Sequence, residues 1–346
     1  MKRLIKDPVY LQRALELAAY GLGKVSPNPM VGCVIVHNDI IIGEGWHQYY
    51  GGPHAEVNAV DSVKDKNLLK ESTVYVSLEP CAHYGKTPPC ADLLIKYQVK
   101  KVIICNPDPN PLVAGKGVAK LTNAGISVEE GILAPEGELL NKRFFTYFRE
   151  TRPFVILKWA ETADGFIARE NWDSKWISNE LSRKLVHKWR GEEDAILVGP
   201  NTALHDDPKL NVRDWSGKNP LRLVIDRNLR LPDSLNLFRD SGKTIVYNLQ
   251  KDGEQGNVVY VKVNQKDLFK EILKDLYNRK ILSVIVEGGA QILNEFISQN
   301  LWDEARIFKS QNSFGSGIEA PVLKGNLTNV DSLLDNSLYF YKPIKK

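Results

Sequence analysis

Cysteine is scarce, four residues in 346, too few for a disulfide framework. Nowhere do 18 apolar residues run together, so no membrane span is expected. The basic start, Met1 to Lys6, has no apolar stretch behind it, and Glu16 interrupts the next one, so no secretory signal is expected either. These absences point to a reducing, cytoplasmic setting. Charge of one sign is also missing. The net charge is only +4, and residues 1–150 carry 17 Lys and Arg against 16 Asp and Glu, the remainder 29 against 26. Neither half offers a basic platform, which argues against a nucleic-acid partner. No Gly-x-Gly-x-x-Gly occurs, so the Rossmann dinucleotide fingerprint is absent.

What remains is ordinary globular composition at a length that asks for two domains. No Gly/Ser-rich linker marks the joint. The expected boundary lies at Arg149-Glu150-Thr151-Arg152-Pro153, giving domains 1–149 and 150–346 packed directly in sequence.

The first domain reads as alternating α/β. Asp7-Pro8 predicts a helix start, with Asp7 as cap, and Leu11, Ala14, Leu15 and Ala18 face a core. Strands are predicted at 31–36 and 40–46, and a helix at 54–62 with His54 and Glu56 in its first turn. A strand at 73–78 precedes Glu79-Pro80-Cys81. Cys90 opens a helix at 91–98, followed by strands at 102–106 and 126–132, a helix at 117–123 and one helix over 135–148.

His54, Glu56, Cys81 and Cys90 are the residues with chemistry. A neutral imidazole and two thiolates make a zinc ligand set that leaves a fourth position for water. Zinc lowers the pKa of that water from about 15.7 towards about 7. A Glu two residues after the His is the proton shuttle of the zinc base deaminases, whose pattern is His-x-Glu followed by Pro-Cys-x-x-Cys. The helix dipole at 54–62 is expected to favour neutral His54 and ionised Glu56. The spacing departs from that pattern: eight residues separate the two Cys, and the inserted loop contains His83, Lys86 and Thr87. His83 stays open as an alternative ligand. Cys33 and Cys105 read as small core residues.

The long spacing makes a family resemblance specific. Pro27-Asn28-Pro29-Met30-Val31-Gly32-Cys33-Val34, Pro53-His54-Ala55-Glu56, Leu78-Glu79-Pro80-Cys81 and Gly85-Lys86-Thr87-Pro88-Pro89-Cys90 resemble the deaminase domain of the bifunctional riboflavin-biosynthesis deaminase/reductases. The resemblance implies a cytidine-deaminase-like α/β/α fold. It implies hydrolytic removal of the 2-amino group of 2,5-diamino-6-ribosylamino-4(3H)-pyrimidinone 5′-phosphate. Carried over, His54, Cys81 and Cys90 are the zinc ligands, Glu56 is the catalytic proton shuttle, and Asn28 lines the substrate pocket.

In the second domain two apolar strands end in glycine and run into helices: 195–199 before Pro200-Asn201-Thr202, and 283–286 before Glu287-Gly288-Gly289. Both junctions bare backbone N–H groups at a helix start, a cradle for phosphates. Each pattern alone is also an ordinary tight turn. Together with Asp164-Gly165, Ser174-Lys175-Trp176, Asp206-Asp207-Pro208 and Val224-Ile225-Asp226 they resemble the same family's reductase domain, related in fold to dihydrofolate reductase. That resemblance implies NADPH-dependent reduction of the ribosyl group to a ribityl chain. Glu161, Trp176, Thr202, Asp206, Arg227, Gly288, Gly289 and Ala290 would contact NADPH. Ser174, Arg190, Leu210, Arg213 and Glu287 would hold the substrate, with Asp206 near the hydride transfer. The two Arg suit a phosphate because a guanidinium grips it bidentately. One departure stands out: 307–321 lacks the apolar strand expected before the Gly-rich segment Phe314-Gly315-Ser316-Gly317, which leaves the pairing of the last strands open.

The expected protein is therefore a two-domain zinc and NADPH enzyme acting on a small pyrimidine ribosyl phosphate, with no nucleic-acid or membrane partner and with a homo-oligomer left open. The rival readings are a nucleoside or nucleic-acid deaminase with a non-catalytic second domain, and a structural zinc module, which would need a fourth protein ligand.

Overall fold

The computed structural model describes residues 6–84, 88–175 and 177–344. The chain forms two compact units, Met1–Glu150 and Thr151–Lys346. No helix among the described residues is long and apolar enough to cross a membrane.

The first unit runs α1 (Asp7–Ala19), β1 (Gly32–His37), β2 (Ile40–Trp46), α2 (Ala55–Ser62), β3 (Thr73–Leu78), α3 (Cys90–Lys96), β4 (Lys101–Asn106), α4 (Lys116–Asn123), β5 (Ser127–Glu130), α5 (Ala134–Leu140) and α6 (Lys142–Glu150). The sheet order is β2-β1-β3-β4-β5, with β1 antiparallel to both neighbours and β3, β4 and β5 parallel. Period-two alternation sorts the strand residues to two faces. Cys33, Ile35, Val74, Val76, Val102 and Ile104 pack under α2, α3 and α4 with Ala59, Leu94 and Leu121. Val34, Val36, Tyr75, Ile103 and Cys105 pack under α1 with Leu11, Ala14 and Leu15.

Three local expectations need correction here. Asp7 is not the cap of α1; its carboxylate accepts from the Tyr75 hydroxyl at 2.5 Å. The single helix expected over 135–148 is two, because buried Asn141 breaks it and turns its amide to Met30, accepting from the backbone N–H and donating to the carbonyl, both at 2.8 Å. The strand expected at 126–132 is only four residues long.

The second unit runs β6 (Phe154–Glu161), β7 (Phe166–Ala168), α7 (Glu180–Glu192), β8 (Ala195–Val198), α8 (Pro200–Asp206), β9 (Leu221–Ile225), α9 (Asn236–Arg239), β10 (Thr244–Asn248), β11 (Gly253–Gln255), β12 (Val258–Lys262), α10 (Leu268–Asn278), β13 (Ser283–Glu287), α11 (Ala290–Ser298), β14 (Glu304–Lys309), β15 (Ile318–Glu319), β16 (Gly325–Leu333) and β17 (Asn336–Pro343). Ten strands form one sheet, β11-β12-β10-β9-β8-β13-β6-β14-β17-β16. The run from β12 to β14 is parallel, and β11, β17 and β16 add antiparallel edges. Val155, Leu157, Leu197, Val284 and Val286 face α10 and α11. Ile156, Ile285 and Phe308 face α7 with Val186 and Trp189.

The expected gap at 307–321 is resolved by β14, which lies earlier and pairs with β6 over Glu304 to Lys309. Its apolar pattern is hidden by Glu304 and Arg306. Both are buried, Arg306 donating to Glu304 at 2.7 Å and lying 3.5 Å from Glu193. The last strands pair antiparallel on β14 in the order β17, β16.

Candidate active sites

In the first unit β2 leads through Gly51-Gly52-Pro53 to α2. His54 is the N-cap of α2, with extended backbone, and lies outside the first turn where it was expected; Glu56 is inside it. β3 ends at Leu78 and delivers Cys81, and Cys90 is the first residue of α3. The ligand atoms of His54, Cys81 and Cys90 lie within 4.8 Å of one another. His54 Nδ1 is 3.6 Å from Cys81 Sγ and 3.3 Å from Cys90 Sγ. With zinc bonds of about 2.3 Å to sulfur and about 2.0 Å to nitrogen, a tetrahedral centre puts those atoms about 3.6 Å apart. The donor set fits zinc in identity and in spacing. His83 is exposed and is not a member of the cluster.

The three donors hydrogen-bond to one another, and their proton affinities move in different directions. A hydrogen bond from Cys90, with further help from His54, holds the Cys81 thiol down at about 4, although burial opposes it. The same pairing with Cys81, and burial, push Cys90 up. His54 is pushed up by its hydrogen bond to Cys81, against burial. Glu56 is 3% exposed; burial, then the Cys81 charge, raise its carboxyl. Desolvation thus works against the helix start, which favours the ionised form. A carboxyl raised towards working pH is suited to taking up and giving back protons.

Asn28 does reach this region. Its amide Nδ2 donates to His47 Nε2 at 3.0 Å, a direction set because His47 Nδ1–H faces the Pro53 carbonyl at 2.9 Å. Burial lowers the His47 pKa and keeps the ring neutral. Its centroid is 5.5 Å from that of His54. Sequence reasoning missed His47; the signal was a His at a strand end, seven residues before the ligand His. It also missed Glu79. The Glu79 carboxylate is buried and accepts backbone N–H groups from Asp108, Gly115, Gly117 and Val118 at 2.9–3.3 Å, tying the 108–118 loop to the strand end that carries Cys81. The inserted loop residues Lys86 and Thr87 lie outside the described residues.

In the second unit the two glycine junctions end adjacent parallel strands, β8 and β13. Gly288 has φ +93°, and a Cβ there would lie 2.5 Å from Thr202 Oγ1, so the turn into α11 seats directly against α8. Ala290 opens α11. Glu287 takes both nitrogens of the Arg190 fork, at 3.2 and 2.8 Å, with Lys158 Nζ at 3.9 Å. Burial pushes the Glu287 carboxyl up, but Arg190 and Lys158 outweigh it and hold the group at about 2. Burial lowers Lys158 in turn, against the pull of Glu287. Asp206 is exposed and accepts from Ser174 Oγ at 3.2 Å. Leu210 is buried beside it in sequence, and the Arg213 side chain is more than half exposed. Glu161 is engaged by the Trp159 indole N–H at 2.9 Å and by Lys309 at 3.4 Å. Arg227 lines a cavity of about 300 Å³ that adjoins the starts of α8 and α11, lined also by Asn201, Arg230, Phe269, Gln291 and Ile292. Arg230 went unnoticed in the sequence. Trp176 lies outside the described residues.

Comparison with known proteins assigns both units. Residues 5–106 match the cytidine and deoxycytidylate deaminase zinc-binding region, and residues 153–330 match the RibD C-terminal domain. The riboflavin biosynthesis protein RibD of Aquifex aeolicus is 38% identical, covering 97% of this chain and 98% of its own. That of Actinobacillus pleuropneumoniae is 44% identical over 84% of this chain and 80% of its own. The crystal structure of a diaminohydroxyphosphoribosylaminopyrimidine deaminase/5-amino-6-(5-phosphoribosylamino)uracil reductase from Thermotoga maritima superposes with a TM-score of 0.89 at 39% identity, covering 98% of this chain and 99% of that one. With a zinc-type donor set in one unit, paired strand–glycine–helix junctions in the other, and relatives matched along nearly their whole length, the chain belongs to the RibD family of riboflavin biosynthesis proteins.

Proposed function

We propose that the first unit deaminates 2,5-diamino-6-ribosylamino-4(3H)-pyrimidinone 5′-phosphate and the second reduces the ribosyl group of the product to ribityl. The observation that carries the reading is the meeting of His54, Cys81 and Cys90 beside buried Glu56. When bound, zinc acidifies water at neutral pH and NADPH supplies a hydride.

The chain's own residues do the rest. His54, Cys81 and Cys90 would hold the metal. Glu56 takes a proton and returns it to the departing ammonia. Asn28, fixed by His47, presents its amide oxygen to the pyrimidine edge. In the second unit the junctions at Thr202 and Gly288–Ala290 would hold NADPH phosphates on bare N–H groups, and Arg227 with Arg230 would take its additional phosphate. Arg213 grips the substrate phosphate. Arg190 keeps Glu287 ionised and oriented, and Ser174 and Leu210 shape the floor beside Asp206. The match of 153–330 to a reductase family argues against a non-catalytic second domain. Three protein ligands among the described residues, not four, argue against a structural zinc module.

The test supplies the diaminopyrimidine phosphate with zinc and NADPH, and follows ammonia and the NADPH absorbance together. Both should change, ammonia first. A chelator should stop ammonia release while NADPH oxidation with the deaminated substrate continues. NADPH oxidation that falls in step with zinc removal would contradict the assignment of one activity to each unit.

A further inference from the structure

His187 is a buried titratable residue that the reading above leaves idle. It lies on α7, three residues before Arg190, and is 3% exposed. Its ring meets one short segment at three places. Nδ1 accepts from the Arg213 backbone N–H at 3.4 Å, Nε2 lies 3.3 Å from Asp214 Oδ2, and the Asn211 backbone also hydrogen-bonds the ring. A backbone N–H can only donate, so Nδ1 is the bare nitrogen and the ring proton sits on Nε2. The groups facing the ring agree with a neutral imidazole. Burial comes first, then Arg190 from its own helix and Arg213 from the segment, all lowering its pKa against Asp214 and the Asn211 backbone; Glu287 faces it from β13.

Among the described residues Arg213 is held by near neighbours, Asp214 at 3.7 Å and Asn211 at 3.5 Å, and its side chain is more than half exposed. Its guanidinium therefore stands where its backbone puts it. We infer that His187 is a positioning residue whose Nδ1 pins the Asn211–Asp214 segment so that Arg213 faces the substrate phosphate. This rests on the reading of Arg213 as the phosphate-binding residue.

The full-length protein carrying His187→Asn, His187→Gln, His187→Ala or Arg213→Ala is assayed for reduction of the deaminated substrate at saturating NADPH, with ammonia release as an internal control. Asn places an oxygen where Nδ1 stands, whereas Gln places its amide near Nε2. Ala and Gln should raise the substrate KM about tenfold, about 1.4 kcal/mol of binding, leaving kcat and the NADPH KM within about twofold. Asn should restore the substrate KM. If Arg213→Ala raises the substrate KM and Gln does not, the inference is overturned and the reading of Arg213 stands. If Arg213→Ala leaves the KM unchanged, both fall. If Asn is as poor as Gln, or all parameters sink together, His187 serves only packing and the inference is overturned. Should the Ala variant fail to fold, the Asn and Gln pair decides alone.

Discussion

Glu287 shows how single residues carry both stability and site. It sits at the end of β13 with a bidentate Arg190 and a nearby Lys158, and its carboxyl is held at about 2 against an ordinary 4.5. A depressed acid stabilises the fold fully above its unfolded pKa, and that stability is lost as pH falls through the folded one. We expect the second unit to lose on the order of 1–3 kcal/mol between about pH 4.5 and 2 from this group alone. Urea midpoints measured down this range should fall less steeply in Glu287→Gln than in the wild type, and parallel slopes would refute the idea. At this scale the sequence was informative where residue type alone is diagnostic. His54, Glu56, Cys81 and Cys90 announce themselves by order, and the structure brings the three zinc-type donors together. The roles of Glu79, His47 and His187 were silent because each leans on backbone groups 6–39 positions away, invisible to any local pattern.

The elements place these residues through close backbone approach. α4 begins against the strand end that carries Cys81, and a Cβ on Gly117 would lie 2.0 Å from the Pro80 carbonyl oxygen. Gly117→Ala must therefore push α4 off Pro80 or move Cys81. We expect it to cost the first unit about 1–3 kcal/mol and to leave the purified protein with clearly less than one zinc per chain. A full complement of zinc with an unchanged urea midpoint would show that the contact is slack. In the first unit element identity was mostly legible from periodicity, and three elements of the chain show why it fails where it does. The helix over 135–148 reads as continuous because nothing local reveals that Asn141 must turn to Met30. β14 is masked by a buried ion pair, Glu304 with Arg306, in positions that ought to be apolar. β16 is exposed along nearly its whole length, so it lacks the alternation that marks a half-buried strand.

At the scale of the whole molecule, the chain is two compact units, each with its own core and its own cluster of chemistry-bearing residues. The fold class of the first unit was readable because α/β alternation is a long-range pattern written in many residues, whereas that of the second came from its resemblance to the reductase domain. The order of ten strands in the second sheet was not, because parallel neighbours such as β13 and β6 are set by tertiary packing across more than a hundred residues. We expect the two activities to be separable, with Glu56 serving deamination alone. The most direct measurement is Glu56→Gln in the full-length protein, given first the diaminopyrimidine phosphate and then the deaminated product. Ammonia release should fall at least about a hundredfold, while NADPH oxidation with the deaminated product stays within about twofold of wild type. Loss of both activities in a protein that still melts cooperatively and still holds zinc would contradict the account.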